Sequence, residues 1–518
     1  MRYVAFATDY DGTLAEEGRV DPQTAEALER LRASGRKLIM VTGRELDDLF
    51  RVFPRTGELF DVVVAENGAL LFETARRTTR LLAEPPPPEL RARLEARGVA
   101  PLSTGQSILA TREPHEVDVL EEIRALGLEL QVIFNKGAVM VLPSGVNKGT
   151  GLQAALDLLG LSPHNAVAAG DGENDHALLA TAECGVAMAD AVPMLRERAD
   201  LVTRGGAGAG VRELIDALLA DDLWTRTQAL PRHEILLGQG SGGRPVGLSP
   251  AGHTLLFAGP SGSGKSTAAK GFAERLMAAR YQCCILDPEG DYQTFGRAVT
   301  LGDARRAPTL TEVLRALSLP GEQVVVNLLA VPLADRPAFF DALLPRLVEL
   351  RARTGRPHWI VIDETHHLLP ASWKPAAETL PRHMPWGGLA LITLVPHELA
   401  RPLLERVDVV VTVGDEPQAT IGDFCATLGL AAPPAQGPLE RGEVLLWRRS
   451  SGVLERVHVE PPEDDHHRHV RKYAEGQLGP RAAPSAGVSR DNPPDRSDTD
   501  AASAGSGAAP SPGRGPWS

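Results

Sequence analysis

Two carboxylates two residues apart, Asp9 and Asp11, close the first apolar run of the chain in the order Asp9-Tyr10-Asp11-Gly12-Thr13. If that run is a strand, both acids sit at its carboxyl end, where α/β sheets bind ligands. Such a pair suits phosphoryl transfer: one carboxylate attacks phosphorus, and the other gives a proton to the leaving oxygen and later activates water. Alone, the pair is equally well explained as turn capping, but three later segments add to it. Val41-Thr42-Gly43-Arg44 offers a hydroxyl and a backbone amide to a phosphoryl oxygen just ahead of a helix N-terminus. Lys148, in GVNKGT, can neutralise charge on a phosphoryl group in transfer. The run from Gly170 to Asp175, GDGEND, gathers three acids and an amide behind an apolar strand, the oxygen-rich set that Mg²⁺ prefers.

A second constellation stands in LLFAGPSGSGKSTAAKGFAERL, which fits the spacing GxxxxGK[ST] with an apolar strand before it and a helical pattern after it. Gly259, Gly262 and Gly264 let backbone amides turn inward around phosphates, with Ser263 and Thr267 completing the nucleotide-binding set. Lys265 would bridge the β and γ oxygens of ATP, and the Ser266 hydroxyl would reach Mg²⁺. Farther on, the apolar strand WIVI ends in Asp363-Glu364, where Asp363 suits a supporting role toward magnesium and Glu364 is placed to polarise an attacking water. Asp287, Glu289 and Asp291 follow another strand and read as turn formers without a catalytic part.

These residues need strands and helices in alternation. KLIMVT, DVVVAENG and AVAAGDG alternate with helical segments such as VDPQTAEALERLRASGR, in which Asp21 can cap, Pro22 suits the first turn and Gly35 follows the last. That rhythm implies parallel α/β architecture. Residues 85–144 interrupt it with a proline run, two helical and three strand-like segments, and read as an α+β cap inserted into a core of residues 1–84 and 145–220. A linker is expected over 221–232, with the glycine cluster GQGSGG marking a domain junction. A second α/β domain over 233–460 follows, with strand candidates at LLFAG, CCILD, VVVNLL, WIVIDE, LALITLV and DVVVTVG and a closing hairpin. Residues 461–518 turn to Pro, Gly, Ala, Ser and Asp, too few apolar groups to offset the entropy of ordering, so a disordered tail is expected, its His466, His467 and His469 incidental.

Taken in order, DYDGT, VTGR, NKG and GDGEND resemble the four motifs of haloacid dehalogenase superfamily phosphatases of the Cof type, over about residues 1–220. The resemblance implies a Rossmannoid core with the cap between the second and third motifs. It implies Asp9 as nucleophile, Asp11 as general acid and base, and Thr42 and Lys148 on the phosphoryl group. Mg²⁺ would be held by Asp9, Asp171, Asp175 and the Asp11 backbone carbonyl, with Asn174 supporting the loop. The second domain resembles HerA-like and VirB4-like P-loop ATPases through ILDPEGDY, DETHH, LALITLVP and the GEVLLW hairpin. That resemblance implies His366 as a coupler of nucleotide state, Thr393 on a sensor strand, and Arg382 as an arginine finger toward a neighbouring subunit of a homo-oligomer. Leu394 stands where the family often has glutamine, and the usual N-terminal barrel is replaced by the phosphatase.

The reading is a bifunctional hydrolase, a Mg²⁺-dependent phosphatase of a small phosphorylated sugar or organic acid joined to a P-loop ATPase. The alternative is a ring-forming HerA-like ATPase acting on DNA or RNA, with the phosphatase domain accessory. A small-molecule kinase paired with an opposing phosphatase is a third reading, which Glu364 disfavours. The 54 basic and 67 acidic residues give a net charge of −13, which disfavours unspecific adhesion to nucleic acid. With 43% hydrophobic and 23% charged residues among 518, several ordinary cores are expected. No apolar run nears the roughly 18 residues of a membrane span, and no basic-apolar leader opens the chain, so a cytoplasmic location is expected. The four cysteines lack metal-ligand spacing and read as small buried hydrophobes.

Overall fold

Apolar runs buried on both faces set the architecture, which a computed structural model describes for residues 1–227, 230–374 and 387–462. The first sheet has, among these residues, eight strands. In spatial order they are Leu201–Val202, Cys184–Ala187, Ala166–Gly170, Ala5–Thr8, Lys37–Val41, Val62–Ala65, Leu70–Glu73 and Thr78–Leu81. Ala5–Thr8 is fully buried and pairs in parallel with Ala166–Gly170 on one side and Lys37–Val41 on the other. It therefore ends in the middle of the sheet's carboxyl edge, and its neighbours deliver the GDGEND and VTGR segments to the same edge. Tyr3, Phe6, Leu38, Met40, Val63 and Val167 belong to the core that holds this sheet.

The inserted segment forms a layer of its own. Two helices, Pro88–Ala96 and Glu116–Leu126, pack on a four-stranded antiparallel sheet ordered Ser103–Thr104, Leu109–Arg112, Ala138–Pro143 and Leu130–Asn135. That is one strand more than the pattern suggested. The extra strand, Ser103–Thr104, spans two exposed polar residues and carries no apolar alternation to read. Glu66, just past a core strand, accepts from Gln106 N at 2.9 Å and Ser107 N at 2.7 Å, which ties the insertion to the core.

The second sheet has eleven strands among the described residues. Its central parallel strands are the six apolar runs of the sequence, and Trp359–Ile362 shows why both of their faces are apolar. Trp359 and Val361 enter one core cluster, while Ile360 and Ile362 enter the cluster on the opposite face. The glycine cluster expected at a domain junction lies instead at the turn of a hairpin, Ile235–Gln239 with Pro245–Leu248, whose first strand pairs with Val453–Val459 of this sheet. Gly242 and Gly243 have φ of 71° and 76°, so the tight turn explains the glycines.

The two α/β modules meet at buried polar contacts. Glu183, 1% exposed, accepts from Arg2 Nη2 at 2.6 Å and from the Tyr281 hydroxyl at 3.0 Å, and lies 2.7 Å from His164 Nδ1. The other His164 nitrogen lies 2.8 Å from the Ala279 carbonyl, and its ring stacks on Tyr281 at 3.8 Å. Arg356 Nη2 donates to the Gly160 carbonyl at 2.8 Å, and His358 Nε2 lies 3.2 Å from Asn165 Oδ1. The Glu183 carboxyl is held well below its usual range because its hydrogen bond to His164 and the Arg2 charge outweigh burial, the largest and opposing effect. All four cysteines are buried and unbridged. No helix among the described residues is long and apolar enough to cross a membrane. The tail histidines His466, His467 and His469 and the expected arginine finger Arg382 lie outside the described residues.

Candidate active site

Asp9 follows the central strand directly, its backbone amide donating to the Ala169 carbonyl at 3.0 Å. Lys148 arrives from another direction, as the first residue of helix Lys148–Leu159, which Asn147 caps through the Thr150 amide at 3.0 Å. Its ammonium lies 2.8 Å from Asp9 Oδ1 and 2.6 Å from Asp175 Oδ1. The second Asp175 oxygen accepts from the amides of Asp171 and Gly172, each at 2.9 Å, so the GDGEND loop folds around its own carboxylate. Asp171 accepts from the Thr13 hydroxyl at 2.8 Å. Asp9, Asp171 and Asp175 are buried, and each places a carboxylate oxygen within 4.8 Å of the others.

Three carboxylates this close repel one another. Burial pushes the Asp9 carboxyl up to about 8, with Lys148 pulling it down and Asp175 pushing it up. Burial likewise raises Asp171, against its bonds to Lys136 and Thr13. Burial works to lower the Lys148 ammonium, yet Asp175 and Asp9 raise it overall. An oxygen-only cluster with excess negative charge is what a hard divalent cation requires, so these side chains fit Mg²⁺.

The other expected residues stand around this cluster. Thr42, fully buried, directly follows the neighbouring strand, and its hydroxyl accepts from Arg44 N at 3.1 Å. The Asp11 side chain is outside the cluster and 41% exposed, held bidentately by Arg44 at 2.6 and 2.7 Å. Asn174 donates to Asn67 Oδ1 at 2.7 Å, which braces the acidic loop against the second strand's neighbour. Two further residues contribute that the motifs do not assign a role. Arg44 stands in VTGR, but spacing alone gives it no partner. Lys136, from the insertion's hairpin, lies 2.5 Å from Asp171 Oδ2. The sequence places GQSILATREPHE and the hairpin NKGAVMVLPSG of the cap toward the site, but neither carries a recognisable specificity code.

At the edge of the second sheet, strand Thr254–Ala258 leads through Gly259–Gly264 into helix Lys265–Ala278. Gly259, Gly262 and Gly264 have φ of 155°, 81° and 103°, conformations that side chains resist. Lys265 is buried, with its ammonium 3.6 Å from Glu364 Oε1. Ser266 and Thr267 are half-buried at the helix start, and the Ser263 hydroxyl donates to the Pro260 carbonyl at 2.8 Å. Asp363 is buried, its carboxyl raised by burial and by the adjacent Glu364 charge. Thr393 Oγ1 and His366 Nδ1 are 3.5 Å apart. Asp287 accepts from the amides of Gly290, Asp291 and Tyr292 at 2.8, 3.0 and 3.0 Å, the turn-forming part expected of it. The loop and the Asp363-Glu364 pair thus share one edge, where a polyphosphate could lie between amides, ammonium and carboxylate.

Comparison with known proteins speaks to the first site. The profile of the family described as haloacid dehalogenase-like hydrolase matches residues 6–84 and 107–215. A phosphoglycolate phosphatase of Methanothermobacter thermautotrophicus is 32% identical over 220 residues, 41% of this chain and 96% of that protein. Phosphoglycolate phosphatase 2 of Saccharolobus solfataricus is 30% identical over 232 residues, 42% of this chain and 93% of that protein. Among solved structures, a haloacid dehalogenase-like hydrolase from Bacteroides thetaiotaomicron aligns with TM-score 0.37 and 20% identity, over 42% of this chain and 99% of its own. The chain therefore belongs to the haloacid dehalogenase-like hydrolases and carries a phosphatase domain of that family over its N-terminal 42%.

Proposed function

We propose that the first site hydrolyses the phosphomonoester of a small organic acid by way of an aspartyl-phosphate. Asp9 attacks phosphorus as the P–O bond to the leaving group breaks, and Asp11 gives its proton to the departing oxygen. Asp11 then takes a proton from water, whose oxygen attacks the phosphoryl group and returns the Asp9 carboxylate with inorganic phosphate. Lys148 and the Thr42 hydroxyl hold the phosphoryl oxygens. Mg²⁺, held by Asp9, Asp171, Asp175 and the Asp11 carbonyl, would neutralise charge on the transferring group. The observation that carries this reading is Lys148, buried between Asp9 and Asp175 with Asp171 beside them. Relatives named as phosphoglycolate phosphatases make 2-phosphoglycolate the first substrate to try. The test is phosphate release over a panel of phosphorylated acids and sugars, with Asp9→Asn as control. Equal release by the two proteins would refute the assignment.

For the second site we infer ATP binding and hydrolysis, with Gly259, Gly262, Ser263, Gly264, Lys265, Ser266 and Thr267 around the phosphates. Ser266 would hold Mg²⁺ with Asp363 in support, which would neutralise charge on the phosphates, and Glu364 orients the attacking water. Support comes from the 3.6 Å approach of Lys265 to Glu364 across two segments far apart in sequence. ATP turnover that survives both Lys265→Ala and Glu364→Gln would dispose of this reading.

A further inference from the structure

The insertion places one lysine in the phosphatase site in a way that sets it apart from the other cations there. Strands Leu130–Asn135 and Ala138–Pro143 are joined by Lys136 and Gly137, with φ of 47° and 80°. Both central residues of this two-residue turn are left-handed, a geometry that favours Asn, Asp or Gly at the first position. A lysine there is held against its backbone preference, and such positions concentrate at functional sites. The turn aims the Lys136 ammonium at Asp171 Oδ2, over Gly12. A Cβ on Gly12 would lie 2.6 Å from that ammonium, so the bare glycine at φ 84° leaves it room.

The neighbouring cations are committed. Lys148 is 1% exposed between two carboxylates, and Arg44 is spent on Asp11 and Asp48. Lys136 is 50% exposed and reaches the cluster from the inserted layer, not from the core elements that carry Asp9, Asp175 and Lys148. Beside it the buried Asn135 Oδ1 has no hydrogen-bond partner among the described residues, an acceptor available to a leaving-group hydroxyl or water. A cation drawn to Asp171 by charge alone turns to another anion when that carboxylate is shared with a divalent ion.

From this juxtaposition we propose that Lys136 is the specificity-determining residue that pairs with a carboxylate on the leaving group, so that the site selects phosphate esters of short hydroxy acids. The proposal rests on the phosphatase reading above and adds the residue that reads the leaving group.

Three substrates on one two-carbon frame separate the possibilities: 2-phosphoglycolate, ethyl phosphate and phosphoethanolamine, whose leaving groups are anionic, neutral and cationic. In Lys136→Met the ratio of kcat/KM for 2-phosphoglycolate over ethyl phosphate should fall about tenfold to hundredfold, the worth of a hydrogen bond to a charged group. Lys136→Arg should keep part of the ratio, and Lys136→Glu should shift preference from 2-phosphoglycolate toward phosphoethanolamine. The same ratios, read as dissociation constants by calorimetry on the Asp9→Asn protein with Mg²⁺, do not depend on turnover. If every substrate falls by one factor and the ratios stay fixed, Lys136 merely clamps the layers and the proposal is overturned. A wild-type protein that binds the three with the ordered affinities yet hydrolyses none would sink the phosphatase reading and leave the role of Lys136 standing.

Discussion

Replacing Glu183 by glutamine should destabilise the chain more than most single substitutions, because of what it leaves behind. The carboxylate is 1% exposed and has Arg2, 9% exposed, as its close counter-charge at 2.6 Å. Glutamine keeps the shape and one carbonyl but strands the guanidinium without an anion, and its amide group meets the donors of Arg2 or Tyr281. Breaking a buried pair in this way costs about 3–5 kcal/mol. At about 2–4 °C per kcal/mol for domains of this size, the phosphatase module should unfold roughly 6–20 °C lower. Differential scanning calorimetry at pH 7 reads the shift, and it also shows whether the two modules still melt together. The double variant Arg2→Met with Glu183→Met removes both charges and should recover part of the loss, the remainder being the bonds that Tyr281 and His164 make to Glu183. A drop below about 2 °C in the single variant would refute the reasoning. So would a double variant as unstable as the single, since packing would then be the cause.

Three other outcomes follow from the same geometry. Gly12→Ala places a Cβ 2.2 Å from Asp171 Oδ2 and 2.6 Å from the Lys136 ammonium at φ 84°, so phosphate release should fall at least about a hundredfold, and most for 2-phosphoglycolate. Its unfolding midpoint should move by only a few degrees, the cost of one left-handed alanine, which thermal melts would check. Lys265→Ala should abolish binding of a fluorescent ATP analogue, whereas Glu364→Gln should retain binding and slow hydrolysis by about a hundredfold or more. Burial, with the His164 and Arg356 charges, holds the His358 imidazole well below its usual value, so the unfolded chain takes up a proton that the folded chain refuses. The stability His358 contributes is therefore whole above about pH 6.5 and is lost as pH falls, by up to about 1.4 kcal/mol per unit. Urea unfolding of wild type and His358→Gln at pH 7.5, 6.5 and 5.5 should show the difference between them shrinking on acidification.

The motifs were legible because each chemical residue sits at a strand end or helix start that the apolar pattern announces. Asp9 closes a fully buried run, and Lys148 opens a helix whose cap is spelled by Asn147 and Thr150. What the sequence hid was mostly pairing across layers. That Arg44 takes both oxygens of Asp11 depends on two parallel strands lying side by side, and residue spacing carries no such information. The hairpin NKGAVMVLPSG that carries Lys136 is expected from the sequence to face the site, but its tripeptide spells no specificity, and the partner of the lysine is set only when the insertion folds down on the core. The glycine cluster at 238–243 misled because glycine marks both linkers and tight turns. The short, polar Ser103–Thr104 strand has no apolar alternation at all.

The contacts at Glu183 also bear on whether two sites in one chain act together. Helix His176–Thr181 starts immediately after Asp175 and ends two residues before Glu183. Helix Lys265–Ala278 starts at the glycine loop and ends beside Ala279 and Tyr281, which meet His164 and Glu183. Each site therefore opens a helix whose far end lands on one buried carboxylate, and a shift of either helix is felt where Glu183 is held by the other module. If ATP at the second site moves helix Lys265–Ala278, the geometry around Asp175 should respond, and Tyr281→Phe should weaken that response by removing the 3.0 Å bond to Glu183. The measurement is phosphate-ester turnover at saturating substrate with and without ATP, in wild type and in Tyr281→Phe. Rates that are the same in all four conditions would mean that the junction is only structural and that the two sites work independently.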